Sequence, residues 1–160
     1  MERFARNFGI GLVVLLLQFT VGNWIILLGI KPDFVLLYVI YLGYKEGRVS
    51  GVIYGFSLGL LQDVAAASAF IGLSSLIKSI IGFGAGYLHG KYHILNPIWL
   101  SLIAIFLVLL GQVLYFGIYY SVSPLEFGEM MHKFILPTFA YTVAVGTVIF
   151  LTIPIPLDTT

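Results

Sequence analysis

The chain alternates long apolar runs with short breaks that carry charge or proline, and those runs predict six helices. The first covers about residues 8–29, behind Arg3 and Arg6. The second, 33–44, opens behind Lys31 and Pro32, where proline suits a first helical turn. The third covers 47–66 and the fourth 72–90. Asn96 and Pro97 open the fifth, 97–122, and Pro137 falls in the first turns of the sixth, 134–153. A hydrocarbon core takes about 20 residues to cross, which the second run reaches only if its ends snorkel or the bilayer thins. The first run is too long for a signal-peptide core and has no small-residue cleavage site. It is therefore expected to be a signal anchor and first transmembrane helix.

Within the third run glycine recurs at every fourth position, at Gly47, Gly51, Gly55 and Gly59, and the next step is Asp63. The fourth run answers with Lys78, Gly82, Gly86 and Gly90. The two series mirror each other about Phe70 and Ile71. A symmetric turn would set Gly59 level with Gly82, Gly55 with Gly86, Gly51 with Gly90, and Asp63 with Lys78. Lipid tails give no hydrophobic gain to helix pairing, so close van der Waals packing must drive it, and glycine permits the backbones to approach. Asp63 lies about 24 Å along the helix from Gly47 at 1.5 Å per residue, near the outer end of its span. An unpaired acid in the hydrocarbon is costly. An intramembrane ion pair between Asp63 and Lys78, closing the outer end of the hairpin, is the expected solution. Packing is the expected role of the glycines. For the two charges, a role in transport chemistry is the alternative to architecture.

Composition sharpens the class. Of 160 residues 60% are apolar and 9% charged, against about 25% charged in a soluble domain, so the chain is expected to be an all-α integral membrane protein forming one polytopic domain over 1–160. A net charge of +1 without any basic run gives no reason to expect nucleic acid. The absence of cysteine excludes disulfides and thiolate metal sites. With the N-terminus inside, Arg3, Arg6, Lys45, Arg48 and Lys91 fall on the cytoplasmic side, and Lys31 and Lys133 outside. Both termini are therefore expected in the cytoplasm. Trp24, Tyr44, Tyr92, Trp99, Tyr119 and Tyr120 near the span ends fit interfacial belts.

Catalytic chemistry finds little to work with. His89 and His93 have the spacing of a helical metal pair, but no further ligand lies nearby and Lys91 would repel a cation; they and His132 read as interfacial histidines. There is no nucleophile elbow, phosphate loop or zinc-binding histidine motif. Ser50, Ser57, Ser74, Ser75 and Ser79 lie among small residues and are expected to bond backbone carbonyls. No enzyme activity, cofactor or metal is expected.

One series of residues is distinctive. Lys31-Pro32-Asp33 opens an apolar segment, Glu46 and Gly47 precede Gly51, and Gly55-Phe56 leads through Gly59 and Leu60 to Asp63. A glycine-bearing turn and Lys78, Gly82 and Gly86 follow. This series resembles the bacterial rod shape-determining protein MreD family, and so do the size and the early N-terminal helix. The fifth and sixth runs add only length and hydropathy. The resemblance implies a bacterial inner-membrane component of the elongation machinery that maintains rod shape and lateral-wall peptidoglycan synthesis. It implies binding of bitopic MreC and, through it, influence on RodA, its class B penicillin-binding protein and the MreB filaments, in a setting of membrane lipids. It also implies a fold similar to the S-components of energy-coupling-factor vitamin transporters.

Two functions follow as expectations. A non-enzymatic scaffold predicts few charges, no polar-lined cavity and apolar helix faces that meet partner helices. An S-component-like vitamin-binding subunit predicts polar side chains converging near the outer face, led by Asp33, Asp63 and Lys78, with Gln18, Asn23 and Gln112 able to join them. A lipid or lipid-carrier handling protein is a third and weaker class.

Overall fold

The computed structural model describes residues 2–24, 31–91, 96–121 and 127–152, and all regular structure among them is helical. The helices are α1 (Glu2–Trp24), α2 (Phe34–Glu46), α3 (Arg48–Ala65), α4 (Leu73–Gly86) and α5 (Pro97–Tyr119). Then α6 (Phe127–Met130), a π-helical turn (Met131–Ile135) and α7 (Leu136–Thr152) follow one another without a break. The ends expected at Gly29, Val122 and Ile153 lie outside the described residues.

The last run becomes helical at Phe127, earlier than its predicted start at 134. Pro137 has no N–H to donate and would break a regular α-helix. The turn before it is wound more loosely, with the Leu136 N–H bonded to the Met131 carbonyl, so the helix continues through the proline. Glu129 and Lys133, 3.4 Å apart, pair on the exposed side of this stretch.

Short α2 is the centre of the assembly. Its 13 residues span about 20 Å. Val35 and Val39 pack with Leu15 of α1 and Leu58 of α3. Leu36 and Ile40 pack with Ile77 and Ile81 of α4 and with Leu107 and Val108 of α5. The helix is wrapped by protein, so its length need not match a hydrocarbon core. By contrast Leu12, Val13, Leu16 and Leu17 on α1, and Ile98, Trp99, Leu102 and Phe106 on α5, are exposed. Two helical stretches, Ile98–Tyr119 and Gly128–Ile149, are long and apolar enough to cross a membrane.

Helices α3 and α4 form an antiparallel hairpin with backbone against backbone, in a register different from the symmetric one. A methyl group added at Gly51 would strike the Gly82 carbonyl, and one at Gly55 the Lys78 carbonyl. At Gly59 it would lie 2.6 Å from Ser75 Cα, and at Gly86 it would strike the Arg48 backbone. Gly51 thus faces Gly82 rather than Gly90, and Gly55 faces Lys78 rather than Gly86, an offset of about two turns of α4. The cause is an asymmetric connection. Helix α3 runs on to Ala65, beyond the level at which α4 begins, and residues 66–72 return alongside it. Gly43 of α2 joins the same contact, its added methyl lying 3.1 Å from both Ala85 Cβ and Gly86 N.

The two remaining ladder glycines differ: Gly47, whose carbonyl carbon would lie 2.7 Å from a methyl on Gly86, still belongs to this contact, and Gly90 does not. Gly90 lies past the end of α4 at φ +75°, with open space around it. Gly47 is the one residue between α2 and α3, at φ 93° and ψ −178°, a backbone conformation essentially reserved for glycine.

Candidate functional site

The Lys31-Pro32-Asp33 segment leads into the buried start of α2, where three other helices hold it. The Asp33 side chain caps α2, Oδ1 accepting the Leu36 N–H at 2.8 Å. Its Oδ2 accepts from the Lys78 ammonium of α4, also at 2.8 Å. Gln18 of α1 clamps both neighbours: its amide donates to the Pro32 carbonyl at 2.7 Å, and its carbonyl accepts the Phe34 N–H at 2.7 Å. From α7, the Thr142 hydroxyl accepts the Asp33 N–H at 3.2 Å. Lys78 is 3% exposed, so the ion pair is a low-dielectric one, and loss of either partner would strand a charge.

This geometry corrects the expected Asp63–Lys78 pair: the acid that meets Lys78 is Asp33. Helix α4 begins short of the end of α3, with Ser75 level with Gly59, and Lys78 therefore lies level with Gly55, well below Asp63. Asp63, 1% exposed, is held differently, through one oxygen, while its Oδ1 is buried with no partner among the described residues. Its Oδ2 accepts the Gly72 N–H at 2.8 Å and the Ser74 N–H at 3.0 Å, at the amino end of α4. Unbonded N–H groups and the positive end of the helix dipole there suit a carboxylate. Gly72, at φ 99°, supplies the left-handed backbone that turns these donors toward the acid.

Beside the clasp is a cavity of about 200 Å³. Gln18, Asp33, Lys78 and Gln112 line it, four of the six polar residues named for a converging site. Asp63 is not in its lining, and the side chain of Asn23 lies outside the described residues. Gln62, Ser74, Thr138 and Tyr115 complete its polar wall, with Lys31 among the lining residues. A scaffold was expected to have no polar-lined cavity; this fold has one.

Of the remaining motif residues, Glu46 lies at the other end of α2, and Phe56 follows Gly55 in α3, near the level of the clasp. Glu46 accepts from the Asn7 amide at 3.1 Å, tying α1 to the end of α2. Phe56 is exposed, and its carbonyl accepts from the Ser75 hydroxyl at 3.0 Å. Ser79 bonds the Ser75 carbonyl at 2.7 Å. Arg48 and Lys91 both lie over the Tyr87 ring, at 4.4 and 4.1 Å. His89 meets the Tyr44 carbonyl at 3.1 Å through Nδ1, while Tyr92 and His93 lie outside the described residues. Among the described residues no cluster of three metal-ligating side chains occurs.

Sequence reasoning missed Thr142, Asn7, Gln62, Thr138 and Gly43. Thr142 and Thr138 gave a weak signal, being hydroxyls four residues apart on one face of a mostly apolar helix.

A family model described as rod shape-determining protein MreD matches residues 3–157 of the chain. No curated protein and no solved structure matches it, so the expected likeness to S-components and the vitamin-transporter reading gain no support.

Proposed function

Because the chain belongs to the MreD family of rod shape-determining proteins, a membrane protein family, we propose that it is a non-enzymatic inner-membrane scaffold of the cell-elongation machinery. In this reading it binds bitopic MreC. Through MreC it influences RodA, the class B penicillin-binding protein and, indirectly, the MreB filaments. It crosses the membrane six times with both termini in the cytoplasm, so that the Asp33–Lys78 clasp lies toward the outer face.

The observation that carries the proposal is the family match over nearly the whole chain, residues 3–157. The packing adds physical support. The glycine faces of α3 and α4 are consumed within their own hairpin, and the exposed apolar faces of α1 and α5 remain for lipid or partner helices. A small-residue interface therefore belongs to the fold, and a partner would dock on large side chains.

Affinity purification from detergent-solubilised membranes tests the proposal. A bitopic coiled-coil partner should be recovered in stoichiometric amount. Recovery of an ATPase module with a bound vitamin in its place would refute it.

A further inference from the structure

The cavity beside the clasp has a surplus of hydrogen-bond donors. A lysine ammonium carries three N–H bonds, and the buried Lys78 gives one of them to Asp33. No acceptor among the described residues takes the other two. Gln112, 4% exposed, lines the cavity and has no hydrogen-bond partner among the described residues. The Gln62 carbonyl oxygen is buried without a partner, which leaves that amide free to turn either way. Among the acceptors, those of Asp33 and Gln18 are engaged, while the Gln62 and Gln112 oxygens are open. Both Asp33 oxygens are bonded, and both ends of the Gln18 amide are committed to the Pro32–Phe34 backbone.

Lys78 is the buried cation of the lining, and its counter-charge Asp33 takes only one of its three N–H bonds. Asp63 lies outside the lining, its Oδ2 held by the backbone N–H groups of Gly72 and Ser74. Buried polar groups are rarely left unpaired, and each unmade bond costs about 1–3 kcal/mol.

We propose that this cavity binds a small oxyanion, a carboxylate or phosphate group, carried either by a free solute or by the headgroup of a membrane lipid. The Lys78 ammonium and the Gln112 amide donate to its oxygens, and the Thr138 and Tyr115 hydroxyls border it. The volume of about 200 Å³ admits such a group and little more, so the remainder of a lipid would lie outside. The site goes beyond the scaffold reading and stands or falls on the purified chain alone.

The test is thermal unfolding of the purified full-length protein in detergent, at constant ionic strength set with sodium chloride. Sodium phosphate, sodium acetate, short-chain phosphatidylglycerol and a short-chain diacylglycerol lacking phosphate are titrated separately. A saturable rise in melting temperature with phosphate or acetate supports a free solute. A rise with phosphatidylglycerol, absent with diacylglycerol, supports a lipid headgroup. In either case Gln112→Leu and Thr138→Val should raise the half-saturating concentration, Gln112→Leu by about tenfold, the loss expected for one hydrogen bond to a charged group. Two variants are used so that a folding defect in one leaves the other decisive. No rise beyond the chloride and diacylglycerol controls would overturn the proposal, as would half-saturating concentrations unchanged in both variants; the cavity would then hold water alone.

Discussion

The ammonium of Lys78 lies 2.8 Å from the Asp33 carboxylate, joining the second turn of α4 to the capping residue of α2. The two residues are 45 positions apart in sequence. The contact locks the central helix against the hairpin at a point that Gln18 and Thr142 also hold.

Removing one member of the clasp should cost more than removing both. Lys78→Met leaves Asp33, whose side chain is 20% exposed, with the Leu36 N–H alone, and Asp33→Asn leaves a buried ammonium without a counter-charge. A double-mutant cycle on unfolding in detergent should give a coupling of about 1–3 kcal/mol. Exchanging Asp63 and Lys78 should rescue nothing, because those two side chains do not pair.

Asp63 should behave as a helix cap. Asp63→Ala is expected to destabilise the protein by about 1–2 kcal/mol, and Asp63→Asn by less, since an amide oxygen can still accept. Hydrogen exchange reads the effect locally: the Gly72 and Ser74 amides should exchange faster in the alanine variant while those in the middle of α2 stay protected.

Glycines of similar sequence context should respond with opposite sign. At Gly55 an added methyl meets the Lys78 backbone, which cannot move without separating α3 from α4, and Gly55→Ala should cost about 1–3 kcal/mol. Gly117 lies in α5 with open space around it, and Gly117→Ala should be neutral or stabilising by up to about 1 kcal/mol. Melting temperatures of the two variants decide the matter.

Much of this framework was readable from the sequence, and its failures have physical causes. The all-helical character lay in the apolar runs, and the family in the glycine and aspartate series. The register of α3 against α4 was not readable. Glycine every fourth residue fits several offsets equally well, and only the path of residues 66–72 selects among them. That choice moved Lys78 from Asp63 to Asp33. The shortness of α2 looked like a problem of crossing lipid, whereas the helix is enclosed by its neighbours. The extra length before Pro137 was hidden because a proline normally stops a helix, and here a π-helical turn carries the chain past it. The cavity was partly foreseen through Gln18 and Gln112. Thr138 and Gln62 enter it only because α3 and α7 converge there.

Membership of a rod shape-determining family makes cell geometry the most direct readout. The chain should be depleted in its own host, with re-expression from a plasmid as the control, while the length-to-width ratio of the cells is followed. The account predicts that rods round up as the protein disappears and recover when it returns. Rods of unchanged ratio after complete depletion would contradict it.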